Sequence, residues 1–172
     1  TLNKFCSNYS VRFWPLRSNH VSIIYLDFNR TTPTAPSVQE AMQPYWSHHF
    51  YLPGQHHPLA RAIGESLEQA RESVSFLVGC DAFELVFTGS GTEANNLAIL
   101  GATQDESPGH ILVSSIEHES VILAAESLVG HGWQVDQVPC DCWGQIHPDS
   151  VAERLRENTA LVCVQLANPV MG

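Results

Sequence analysis

Lysine is almost missing from this chain. Its 172 residues hold one, Lys4. The remaining basic charge is sparse and uneven. Residues 1–24 contain Lys4, Arg12 and Arg17 and no acid. Residues 25–172 contain all 18 acids against five arginines, a net charge of about −13. A surface that acidic suits neither nucleic acid nor an anionic membrane. It also repels an anionic ligand unless a local cluster of N–H groups outweighs the global field. No run of ~18 apolar residues occurs, which leaves no candidate for a membrane-spanning helix. The cysteines do not come in even number either. Cys6, Cys80, Cys140, Cys142 and Cys163 are irregularly spaced in a chain long enough to bury a core without staples. That usage points to a reducing compartment, the cytoplasm, rather than to a disulfide framework.

Metal-ligand spacing is absent as well. Cys140 and Cys142 form one C-x-C pair, at most two ligands, with no partner pair. His48, His49, His56 and His57 cluster in a proline-containing loop, but adjacent histidine pairs make poor tetrahedral geometry. No metal site is expected. The basic, acid-free composition of residues 1–24 is shared by transit peptides, which implies an organelle if the segment is a targeting signal. Pro15 favours a disordered tail.

What is present is a pattern of alternating elements. Pro36 opens a helix reaching about Trp46. A longer helix spans about Leu59 to Val78. There Ile63, Leu67, Ala70, Val74 and Leu77 recur every three or four residues, with charges between them, and Gly79 ends it. Strands are expected at Ile23–Asp27, Leu85–Thr88, Ile111–Ser115, Trp133–Val138 and Leu161–Leu166. Helices are expected at Thr92–Ala102, His118–Val129 and Pro148–Glu157. Strand and helix in alternation predict an α/β fold, three-layer, with a mostly parallel sheet. The runs Leu85–Phe87, Ile111–Val113 and Leu161–Val164 read as strands buried on both faces. In such sheets ligands bind beyond the carboxyl ends of the strands. The sequence closes at Asn168-Pro169-Val170-Met171-Gly172, where such a loop belongs, so residues 25–172 read as an apparently truncated domain.

The most informative stretch is Phe83–Ile99: a strand, a Gly89-Ser90-Gly91 turn and an immediate helix. Ser90 and Glu93 fit a capping box, in which each satisfies an orphan N–H. Beyond that, two glycines clear side chains from the turn, and Thr92 sets a hydroxyl beside the first-turn N–H groups. A phosphate fits such a helix start. The lysine of a P-loop is missing, and the spacing is not G-x-G-x-x-G. His118 follows an expected strand. It reads either as a surface histidine near a helix start or as a ring at the mouth of the same crevice, stacking or moving a proton. Asn29-Arg30-Thr31-Thr32 reads as a turn.

Together these segments resemble the cysteine desulfurases of the class V aminotransferase group, which are pyridoxal-phosphate enzymes. Tyr25–Pro33 resembles that family's Y-L-D-N-N-A-T-T-P opening, and Phe87–Ala98 its F-T-S-G-G-T-E-A-N-N-L-A block. Ser114, Glu117, His118 and Val121 match its S-x-x-E-H-x-x-V. Leu52–His57 is a degraded N-P-S-S-x-H. Selenocysteine lyases share these motifs. The resemblance implies that residues 25–172 are the N-terminal part of a large domain that takes sulfur from L-cysteine and leaves L-alanine. It implies pyridoxal 5'-phosphate as cofactor, with the phosphate on Gly91 and Thr92. His118 would stack on the ring and assist proton transfer, and Asn168 would approach the ring. It implies a homodimer acting on a small amino acid. Pro169 and Val170 stand where the family has Asn and Glu, and Arg30 where it has Ala. The family's Schiff-base lysine and sulfur-accepting cysteine lie in later segments with no counterpart in this sequence. Covalent attachment in the family manner is therefore not expected of this polypeptide. A non-catalytic phosphate-binding or inert α/β remnant, or a class V enzyme with another substrate, are the alternative readings.

Overall fold

The computed structural model describes residues 25–171, which fall into two units divided after Pro33. In the first, the chain turns at Phe28–Arg30. The N–H groups of Arg30 and Thr31 donate to the Asp27 carbonyl, at 3.1 and 3.3 Å. The Tyr25 hydroxyl bonds the Thr31 hydroxyl, and Tyr25 meets Phe28 edge-on. The turn expected at Asn29–Thr32 is there. The strand expected at Ile23–Asp27 is not: Tyr25–Asp27 take no strand, while Ile23 and Ile24 lie outside the described residues.

The second unit begins with two helices, α1 (Pro36–Ser47) and α2 (Pro58–Val78). Each opens on a proline, whose missing N–H costs nothing in the first turn. His57 caps α2: its Nδ1 accepts the Ala60 N–H at 3.2 Å. At the other end Gly79 adopts φ 77°, and its N–H donates to the Ser75 carbonyl at 2.8 Å. Three of the four histidines around this loop make local contacts. His48 bonds the Ser47 hydroxyl at 2.8 Å, and His49 lies edge-on to Tyr45.

Then follow α3 (Gly91–Thr103), β1 (His110–Ser114), α4 (Glu119–Ser127), β2 (Gln134–Val138), the short α5 (Pro148–Ala152) and β3 (Thr159–Cys163). The three strands are all parallel, in the order β2-β1-β3. Ile111 pairs with Val135 on one side and Leu161 on the other. Every residue of the central β1 is buried, whereas β2 and β3 are partly exposed. Burial on both faces therefore holds for β1 and not for β3, where Ala160 and Val162 on one face stay exposed. Helices α3 and α4 pack together on the face carrying Ile111 and Val113, with Ile99, Val121, Ala124, Ala125 and Trp133 closing the core.

Further expected elements differ in the second unit. Leu85–Thr88 is not a strand. Residues 82–84 form a 3-10 turn closed by Asp81 and Glu84, and the extended residues after it pair with no strand among the described residues. A strand needs a neighbour for its backbone groups. Instead the Leu85 carbonyl accepts from Arg71, whose guanidinium lies over the Phe87 ring. Val86 is left 63% exposed. The helix expected over Pro148–Glu157 stops at Ala152, where the chain passes into turns toward β3.

Candidate functional site

The site grows from the ends of β1 and β3 and the starts of α3 and α4. At α3, Ser90 is the N-cap, and its hydroxyl accepts the Glu93 N–H at 3.1 Å. The Glu93 carboxylate closes the turn one residue earlier than a capping box does, accepting the Gly89 N–H at 2.7 Å. These bonds use two of the N–H groups around the turn. Those of Gly91 and Thr92 have no hydrogen-bond partner among the described residues, nor has the Thr92 hydroxyl. The space where a Cβ on Gly91 would stand is open. At Gly89 the same position meets the Glu93 carboxylate at 3.1 Å, so that glycine admits the chain's own acid. An exposed helix start with free N–H groups, a free hydroxyl and open approach has the donor set that a phosphate monoester requires.

One turn into α3, Asn95 reaches α4. Its amide N–H donates to the Ser120 hydroxyl at 2.8 Å. Ser120 in turn holds His118, the N-cap of α4. Its backbone N–H donates to the histidine Nδ1 at 3.1 Å, and its hydroxyl lies 2.7 Å from the same atom. The helix that carries Thr92 is thereby tied to the histidine through two side chains.

The floor is fixed by Glu117. Its Oε1 accepts the Ser114 hydroxyl at 2.9 Å and the Gln165 backbone N–H, joining the end of β1 to the end of β3. Gln165 also donates through its side chain to the Ile116 carbonyl. Between these groups lies a cavity of about 390 Å³, lined by Asn95 and Ile99 of α3, Glu117 and His118, and Cys163 and Gln165. Burial, reinforced by the Glu117 charge, pushes the Cys163 thiol above its ordinary value, so it stays protonated in neutral solution.

Asn168 occupies an adjoining cavity of about 420 Å³ with Ile116, Gln145 and His147. Both ends of its amide are in use: the N–H donates to the Ile116 carbonyl at 2.9 Å, and the oxygen accepts the Val170 and Met171 N–H groups. Beside it the Asp141 carboxylate is held below the usual range, chiefly by the Gln145 N–H, then by that of Trp143 and by His147. This loop contains Cys140 and Cys142, but no cluster of three metal-ligating side chains exists among the described residues.

Sequence reasoning named Gly91, Thr92, His118 and Asn168. It passed over Asn95, Ser120, Cys163 and Gln165. Asn95 carried a signal, its offset of three from Thr92 on one helix face. Gln165 carried none, since its place depends on β3 lying beside β1.

The family model for aminotransferase class-V matches residues 24–172. The cysteine desulfurase IscS 1 of Archaeoglobus fulgidus is 41% identical over 150 residues, 86% of this chain and 39% of that protein. A cysteine desulfurase of a Nostoc species is 37% identical over 154 residues, 88% of this chain and 38% of its own. The chain thus spans about two fifths of the length of these curated relatives. A solved structure of SspA in complex with cysteine superposes with TM-score 0.80 at 35% identity, covering 84% of this chain and 42% of that one.

Proposed function

Because the chain belongs to the class-V aminotransferase family, whose cysteine desulfurases depend on pyridoxal phosphate, we propose that residues 25–172 form part of the large domain of an enzyme that removes sulfur from L-cysteine and leaves L-alanine. The cysteine in the SspA complex and the desulfurase names of the relatives support that substrate. When bound, the cofactor supplies an electron sink for the carbanion formed at the substrate. This chain's own residues do the holding. Gly91 and Thr92 take the phosphate through their N–H groups and the Thr92 hydroxyl. His118 would stand beside the ring and hold or pass a proton at Nε2. Asn168 contributes the loop that borders the ring rather than a free amide, since its amide is committed to Ile116, Val170 and Met171.

The observation carrying this reading is the pair of free N–H groups at an open helix start, tied through Asn95 and Ser120 to a histidine at the end of β1. Titration of pyridoxal phosphate into the parent and Thr92→Ala tests it. Loss of the hydroxyl weakens binding by about tenfold, the worth of one hydrogen bond to a charged group. Equal affinities overturn the phosphate assignment.

Sulfide release from cysteine by the complete protein that contains residues 25–172 tests the activity, and its absence there would leave a phosphate-ligand module. We read the complete enzyme as a homodimer of a reducing compartment such as the cytoplasm. The free Cys80, Cys140, Cys142 and Cys163 accord with that, and among the described residues no helix is long and apolar enough to cross a membrane.

A further inference from the structure

We propose that Ser120 is a positioning residue that fixes the tautomer of His118, leaving the proton on Nε2. The inference rests on the proposed role of His118 against a cofactor ring, but its geometry is independent of any ligand. A neutral imidazole has one nitrogen that donates and one that accepts, and the partner of one nitrogen decides the state of the other. The Ser120 backbone N–H points at Nδ1 at 3.1 Å and has only a proton to offer, so Nδ1 must present its lone pair. The Ser120 hydroxyl, 2.7 Å from the same lone pair, must then donate to it as well. That leaves the hydroxyl oxygen free to accept, and the Asn95 amide N–H fills that role at 2.8 Å. The three bonds form one directed chain, from Asn95 through Ser120 to Nδ1, and no other direction satisfies all of them.

Burial gives the chain its hold. Ser120 is 6% exposed at the junction of α3 and α4, where water does not readily replace a lost donor. The histidine ring itself remains exposed at the cavity. The outcome is a ring anchored by its Nδ1 edge, with Nε2–H as its working edge. The start of α3, which offers N–H groups to a phosphate, also orients through Asn95 the group that would face the attached ring.

Long-range proton–nitrogen NMR of the histidine side chains in the 15N-labelled 172-residue chain, without cofactor and above the histidine titration range, reads the tautomer directly. His118 is assigned by its loss in His118→Gln. The parent is expected in the Nε2–H form. Ser120→Ala lowers the ratio of Nε2–H to Nδ1–H by about tenfold, the ratio one hydrogen bond of ordinary net strength sustains. Ser120→Thr, which restores the hydroxyl, returns it. A merely structural role for Ser120 shifts backbone signals without moving this ratio. An Nδ1–H parent, or a Ser120→Ala ratio equal to the parent's, overturns the proposal, and the parent spectrum decides even if Ser120→Ala does not fold. Because no cofactor is present, failure here is distinct from failure of the Thr92→Ala titration.

Discussion

Glu93 has two opposed effects at the start of α3. Its carboxylate closes the Gly89 turn and suits the positive helix end, which steadies the fold. The same negative charge stands beside the N–H groups assigned to a phosphate. Glu93→Gln keeps an oxygen for the Gly89 N–H and removes the charge. It is expected to raise pyridoxal phosphate affinity about threefold while lowering helix stability by about 0.5 kcal/mol. Parallel titration and thermal melts check both signs; unchanged affinity would mean that the carboxylate and the anion do not share the site. Thr92 and Ser120 set the other two expectations at this scale, one for phosphate affinity and one for the histidine tautomer. Of the candidate site's residues, Gly91, Thr92 and His118 can be proposed from the sequence because each sits at a helix start, where local chemistry shapes residue type. Ser120 cannot, and Asn95 only by its offset from Thr92, because what the two do is meet across two helices.

Among the elements, α2 shows how far local rules carry. Its proline start and left-handed Gly79 stop follow from residue type, whereas the His57 cap does not, since histidine is not among the favoured N-caps. Gly79→Ala forces a side chain into φ 77° and is expected to cost about 1 kcal/mol, read as a shift in the denaturation midpoint. The open space around Gly79 leaves backbone strain as the cause, so an unchanged midpoint removes that account of the helix end. The apolar stripe of α2 is a different matter. Its period predicts a buried face, yet among the described residues only Ala60 and Ser75 of this helix are buried, and Leu77 is 82% exposed. Leu85–Thr88 repeats the lesson for strands. Its composition and extended backbone suit a sheet, but hydrogen bonds to a neighbour make a strand, and composition cannot supply the neighbour.

For the molecule as a whole, exposed apolar surface and net charge dominate. Trp46, Phe50, Phe76, Leu77 and Phe83 stand open within residues 34–171, and the outer edge of β3 pairs with no strand among the described residues. Such surface drives association. The 172-residue chain is expected to bind a hydrophobic dye strongly and to self-associate in sedimentation. A monodisperse monomer that leaves the dye unbound would contradict this. The charge of about −13 on residues 25–172 adds a long-range repulsion toward an anionic cofactor, which the N–H groups of α3 must overcome at close range.

The amino-acid order alone determined the α/β class, the starts and stops of α1 to α4, the parallel arrangement and the helix start that suits a phosphate. These follow from neighbours within a few residues: prolines and capping side chains, glycines that stop helices, and apolar period. Only the tertiary structure decided that β1 lies between β2 and β3, that Glu117 joins the ends of β1 and β3, and that Asn168 spends its amide on Ile116, Val170 and Met171. It alone placed Asn95 and Ser120 behind His118. Asn95 to Ser120, Glu117 to Gln165 and Asn168 to Ile116 join residues 25, 48 and 52 positions apart, and no local preference fixes a contact at that distance until the fold brings its two sides together.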